Sequence, residues 1–168
     1  MDNVNIFLEV KPELSAALAQ AGAVAAMALA ALGSALGTGA AGAAALGAWK
    51  RCYVQKKPAP FQLAVFVGAP LSQTIYGFIL MLLMRGQAEA MLAAGAEITL
   101  IARWPFYLIG GIVAGMAMGT SAWMQGRAGA GAADSFAETN EGFTNDLLVL
   151  GVIETVALFV MVFVLISL

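Results

Sequence analysis

The stretch LLVLGVIETVALFVMVFVLISL, residues 147–168, carries a single charge, Glu154, in 22 residues. About 20 apolar residues cross the hydrocarbon core of a bilayer as one helix, so this segment reads as membrane-spanning. A carboxylate at its centre costs about 2.5–3.5 kcal/mol on an insertion scale, and more by simulation. A residue that expensive is kept for ion transfer, for a proton relay or for a buried partner.

The composition agrees with a membrane protein. The chain of 168 residues is 61% hydrophobic and only 11% charged, which allows about one helical bundle. A net charge of −2 gives no reason to expect nucleic-acid binding. There is no His, and Cys52 is the one Cys. A thiol/imidazole zinc site, a Cys–His nucleophile pair and an internal disulfide are thereby excluded. No zinc or haem is expected. Cys52 reads as a passive thiol beside a basic loop. No Gly-rich loop ends in Lys-Ser/Thr, so no nucleotide site is expected either. The opening MDNVNIFLEVKPELSA carries acids early and no basic n-region, so it does not read as a cleaved signal peptide.

Three more stretches lack charge: residues 14–48, 61–84 and 104–126. The first is longer than a bilayer needs, which predicts a helix that projects or tilts. Three connections punctuate the four spans: WKRCYVQKKPAP, RGQAEAMLAAGAEI and ETNEGFTND. Pro58 and Pro60 suit a turn before the second helix. Lys50, Arg51, Lys56, Lys57 and Arg127 lie on one side, against Lys11, Arg85 and Arg103 on the other. The excess places both hairpin loops in the cytoplasm and both termini outside.

The first and third spans are rich in small residues. Gly33 and Gly37 form one GxxxG, and Gly111, Gly115 and Gly119 form two in series. Such residues let helix backbones approach closely in lipid. They suit ordinary bundle packing; they also suit small-faced helices lining the inside of a ring. The second and fourth spans carry bulkier residues, Phe66, Tyr76, Phe78, Phe159 and Phe163, which would then face outward.

The chain also repeats. SQTIYGFILMLLM from Ser72 aligns with IETVALFVMVFVL from Ile153, setting Gln73 against Glu154. GTGAAG from Gly37 resembles GAGAAD from Gly129. Apolar helices resemble one another cheaply, but the joint match favours a duplicated double hairpin, residues 1–86 and 87–168. One copy has a carboxylate at the key position, and the other has its neutral amide relative.

Few side chains within the spans can coordinate anything. The second has Ser72, Gln73, Thr74 and Tyr76, just after Pro70. The third has Thr120, Ser121, Gln125 and Arg127, and the fourth has Glu154 and Thr155. Pro70 lacks an amide hydrogen, so a carbonyl near Ala69 is expected to be free. A proton carrier needs only a carboxylate in an apolar pocket. A desolvated sodium ion wants about five or six oxygens, by analogy with other hard cations. Glu154, the amide oxygens of Gln73 and Gln125, the Ser72 hydroxyl and the Ala69 backbone carbonyl would supply that number. Each polar group alone could simply bond between helices; the set around one buried acid is harder to read so.

These residues resemble the rotor-ring proteolipid of V/A-type rotary ATPases, the K (or c-type) proteolipid, most closely its sodium-translocating bacterial branch. The resemblance spans nearly the whole chain. It rests on Ala69-Pro70-Leu71-Ser72-Gln73-Thr74-Ile75-Tyr76-Gly77-Phe78, on Gln125-Gly126-Arg127 and on Ile153-Glu154-Thr155. Ser72 stands for the usual Thr, and Ala69 for a larger apolar residue. The resemblance implies an all-α membrane protein of four transmembrane helices, assembled with identical subunits into a ring within a bacterial cell membrane. It implies Na⁺ at Glu154, Gln73, Gln125, Ser72 and the Ala69 carbonyl, with Tyr76 locking the site by a hydrogen bond. It implies a stator membrane subunit presenting an Arg, a central-stalk subunit at the cytoplasmic loops, surrounding lipid, and ATP chemistry on other subunits. The same rotor carrying H⁺, a small non-rotary transporter or channel, and a structural tetraspan are the other readings.

Overall fold

The computed structural model describes residues 11–93 and 96–168. The opening ten residues, where the lack of a basic n-region is read, lie outside the described residues. So do residues 94 and 95 of the second connection. Every regular element among the described residues is helical: α1 (Pro12–Val54), α2 (Leu63–Gly68), a 3₁₀ turn (Ala69–Leu71), α3 (Ser72–Ala90), α4 (Ile98–Ile101), α5 (Trp104–Thr139) and α6 (Phe143–Ser167). Four helical segments are long and apolar enough to cross a membrane, with α2–α3 and α4–α5 each counting as one.

The helices outrun the charge-free stretches. α1 has 43 residues, or about 65 Å at 1.5 Å per residue, well beyond a bilayer. It passes through Lys50 and Arg51 because nothing there breaks a helix before Pro58. α5 likewise continues past Gly126 to Thr139, since Ala, Gly and isolated charges do not stop a helix. It ends where Asn140 (φ 55°) and then Gly142 (φ 84°) enter the left-handed region. Residues expected as connections are therefore helical extensions. Arg51 pairs there with Asp134, and at 3.6 Å with Glu138, tying the α1 and α5 extensions together. Cys52 is buried beside that clamp, its thiol 3.9 Å from the Ala137 carbonyl. α3 runs four residues past Gly86, so the boundary drawn there falls inside a helix.

α1 and α5 run parallel and form the centre of the bundle. Three pairs of their glycines meet one another within the chain. A Cβ on Gly111 would lie 2.1 Å from the Gly22 oxygen, on Gly33 1.9 Å from the Gly119 oxygen, and on Gly126 2.1 Å from the Gly37 oxygen. Gly115 faces the Ala25 and Ala26 carbonyls in the same seam. These approaches are possible only without side chains.

The second span packs antiparallel to α1. Gly77 meets Ala30, Gly37 meets Pro70, and Ala41 and Phe66 both meet Gly129. Each advance along α1 is thus matched by an equal retreat along α3 and α2. α6 packs on α5 in the same antiparallel sense, through Ser121 and Ile153, then Gln125 and Leu150.

Two apolar clusters flank the middle. One gathers Ala16, Ala23, Leu80, Met84, Tyr107 and Met118. The other gathers Leu63, Phe66, Ala133, Phe136 and Leu150, with Phe66 and Phe136 packed edge to face at 6.3 Å. Phe66 is fully buried, which corrects its expected place on an outward bulky face. It lies near the end of the span, where α2 packs inward against α5, rather than in the lipid-facing stretch of α3. Phe78, Phe159 and Phe163 do face outward.

Candidate functional site

The site is a polar layer between those clusters, built by α3, α5 and α6. Gln73 and Gln125 are both fully buried. Gln73 Nε2 donates to Gln125 Oε1 at 2.8 Å. Gln125 Nε2 donates to the Leu150 carbonyl at 3.0 Å and to Glu154 Oε2 at 3.3 Å. The Tyr76 hydroxyl donates to Glu154 Oε1 at 2.5 Å. Both carboxylate oxygens therefore accept a hydrogen bond, and bonds to an ionised acceptor are the strong ones. Glu154 is half-buried in the single chain.

Ser72 extends the layer. Its hydroxyl lies 3.1 Å from Gln73 Oε1 and 3.2 Å from the Ala69 carbonyl, and its one hydrogen serves either acceptor. Ser72 and Tyr76, one turn apart, stand at the two ends of the constellation. A continuous run of polar contacts thus joins Ala69, Ser72, Gln73, Gln125, Glu154 and Tyr76.

Pro70 does not free the Ala69 carbonyl, contrary to the expectation from sequence. A proline at position 70 withdraws the donor that residue 66 would have used, four positions back, and not one that serves residue 69. The Ala69 carbonyl is engaged: the 3₁₀ turn gives it the Ser72 N–H, and the Ser72 hydroxyl approaches it too. An oxygen with two lone pairs can still turn one to a cation, but it is not a bare carbonyl.

Other polar residues of the spans stand apart. Thr155 is exposed and donates to the Val152 carbonyl at 2.7 Å on its own helix, and Thr120 does the same to Met116 at 2.8 Å. Arg127 is exposed. One participant escapes a reading of the sequence, and another, Ser121, is legible there as a polar residue of the third span but without its role. The Leu150 carbonyl is backbone and leaves no residue-type signal. Ser121 braces the residue before Glu154 by donating to the Ile153 carbonyl at 2.8 Å. Its i, i+4 spacing from Gln125 is the available clue.

Chemically, the layer offers one carboxylate and several neutral oxygens in apolar surroundings. No three His, Cys, Asp or Glu side chains cluster among the described residues. The set suits a monovalent hard cation or a proton better than a multiply charged metal, which draws more anionic ligands.

Residues 108–167 match the family model of the ATP synthase C subunit. The matched segment is the α5–α6 hairpin, which brings Ser121, Gln125 and Glu154. No curated protein matches the chain. The family match, on a chain with four membrane-spanning-length helices, supports an integral membrane rotor proteolipid of the ATP synthase type. Such a proteolipid translocates ions and does no ATP chemistry itself; the family implies a ring of identical subunits beside the other subunits of the complex.

Proposed function

We propose that this chain is the rotor-ring subunit of a V/A-type rotary ATPase or ATP synthase of the sodium-translocating kind, with Glu154 as the carrier. The observation that supports it is the linked polar layer around a single carboxylate. Glu154, Gln73, Gln125, Ser72 and the Ala69 carbonyl would ligate Na⁺, and Tyr76 would hold the carboxylate in place. The two hairpins are read as copies of one ancestral hairpin, the first neutral at Gln73 and the second charged at Glu154.

Rotation would carry the occupied, charge-neutralised Glu154 through lipid, where a bare carboxylate is too costly. The stator Arg would compete for that carboxylate and release the ion into an access channel. The hairpin loops would face the cytoplasm and the central stalk, with both termini outside.

Carbodiimide labelling tests the reading, because the reagent attacks a protonated carboxyl. The label is expected on Glu154, fast at low pH and slow at high pH. Added Na⁺ should slow it at fixed pH, and the midpoint pH should fall as Na⁺ rises, because the cation favours the deprotonated form. Labelling that follows pH and ignores Na⁺ at constant ionic strength would transfer the reading to the proton rotor. Absence of label on Glu154 at any pH would reject both.

A further inference from the structure

Ser34 is 2% exposed, and its hydroxyl has no hydrogen-bond partner among the described residues. Leaving a buried hydroxyl unpaired is unfavourable. Serines and threonines on helices usually solve this through a carbonyl of the preceding turn. Thr120, Thr139, Thr155 and Ser167 all do so here. Ser34 does not, and the packing register shows what it faces. Ala30 packs on Gly77 and Gly37 on Pro70. Ser34 is four residues after Ala30, and Gln73 is four before Gly77, so the two stand opposite each other. Thr38, one turn on, stands opposite Ala69, and its hydroxyl is also buried and unpartnered. α1 thus turns two hydroxyls to the back of the layer.

Gln73 has a use for one. Its amide nitrogen carries two hydrogens, and one goes to Gln125 Oε1. Among the described residues no second acceptor takes the other. We propose that Ser34 is a positioning residue of the ion site. Its hydroxyl oxygen accepts the second N–H of Gln73 through one bound water, and so keeps Gln73 Oε1 turned towards Ser72. A serine of the other central helix also braces the layer in the second hairpin, where Ser121 donates to the Ile153 carbonyl beside Glu154. The inference rests on the ion-site reading above.

The test uses purified rings and the Na⁺ concentration that half-protects Glu154 from carbodiimide. Ser34→Ala deletes one oxygen and favours the helix, so assembly should be retained. It is expected to raise that concentration about three- to tenfold, the worth of one neutral hydrogen bond. The shift should fall below about twofold in a Gln73→Ala background, since Ser34 acts through Gln73. An equal shift in both backgrounds, or none in either, overturns the proposal. Wild-type labelling that ignores Na⁺ would defeat the sodium reading instead. The same pair of backgrounds would then be compared by the midpoint pH of labelling, which Ser34→Ala should move only when Gln73 is present.

Discussion

Replacing Gly33 by alanine adds one methyl group at the tightest point of the α1–α5 seam. That carbon would lie 1.9 Å from the Gly119 carbonyl oxygen and 2.3 Å from its Cα, where ordinary contact begins at 3.4 Å. The seam must open by about 1.5 Å at that point to restore contact distance. A methyl group cannot rotate away, and the obstacle is backbone. The Gly22–Gly111 and Gly37–Gly126 contacts on either side hold the helices together and would be lost with the opening. Overpacking costs about 1–3 kcal/mol in general, and a backbone-on-backbone clash belongs at about 3 or above. Alanine returns about 1 kcal/mol through its higher helix propensity. The net expectation is a loss of about 2 kcal/mol. Gly47 provides the control, because a Cβ there meets nothing within 4 Å in the chain. Gly47→Ala should be neutral or stabilising by up to about 1 kcal/mol. Titrating purified protein in mixed micelles with SDS, followed by circular dichroism, compares the two. If Gly33→Ala unfolds at or above the wild-type midpoint, the seam is not close-packed as described.

Tyr76→Phe removes the donor to Glu154 Oε1; hydrogen bonds to charged groups are worth about 1.5–3 kcal/mol, so the half-protecting Na⁺ concentration should rise about ten- to a hundredfold. Gln125→Ala should weaken sodium activation of ATP hydrolysis in the assembled complex more than Gln73→Ala. Gln125 alone contacts Gln73, Leu150 and Glu154 together, and equal activation curves for both variants would contradict this. Glu154→Gln keeps the shape but loses the charge, and should abolish ATP-driven Na⁺ uptake into vesicles while rings still assemble.

Much of this molecule is legible in its residues. Four membrane spans follow from apolar runs of helix-spanning length, since a helix pairs every backbone group within its own segment in lipid. Glu154 announces itself as a lone charge in such a run. Gln73, Gln125, Ser72 and Tyr76 can be named because polar residues are so sparse there. What the chain does not reveal is which faces meet. Gly22, Gly33 and Gly37 of α1 are consumed against Gly111, Gly119 and Gly126 of α5, a pairing set by the register of two parallel helices and invisible to either GxxxG alone. Phe66 reads as a lipid-facing aromatic until α2 turns it onto Phe136. Pro70 singles out the neighbouring Ala69 carbonyl, yet the hydrogen-bond ladder counts back four residues, and the 3₁₀ turn engages that carbonyl anyway. Ser34 and Thr38 look like two more small residues in an alanine-rich helix. Composition reports a residue's cost in a membrane, whereas partnership depends on rotation and register between helices. Those are decided by the sum of many contacts distant in sequence, and only the packed bundle specifies them.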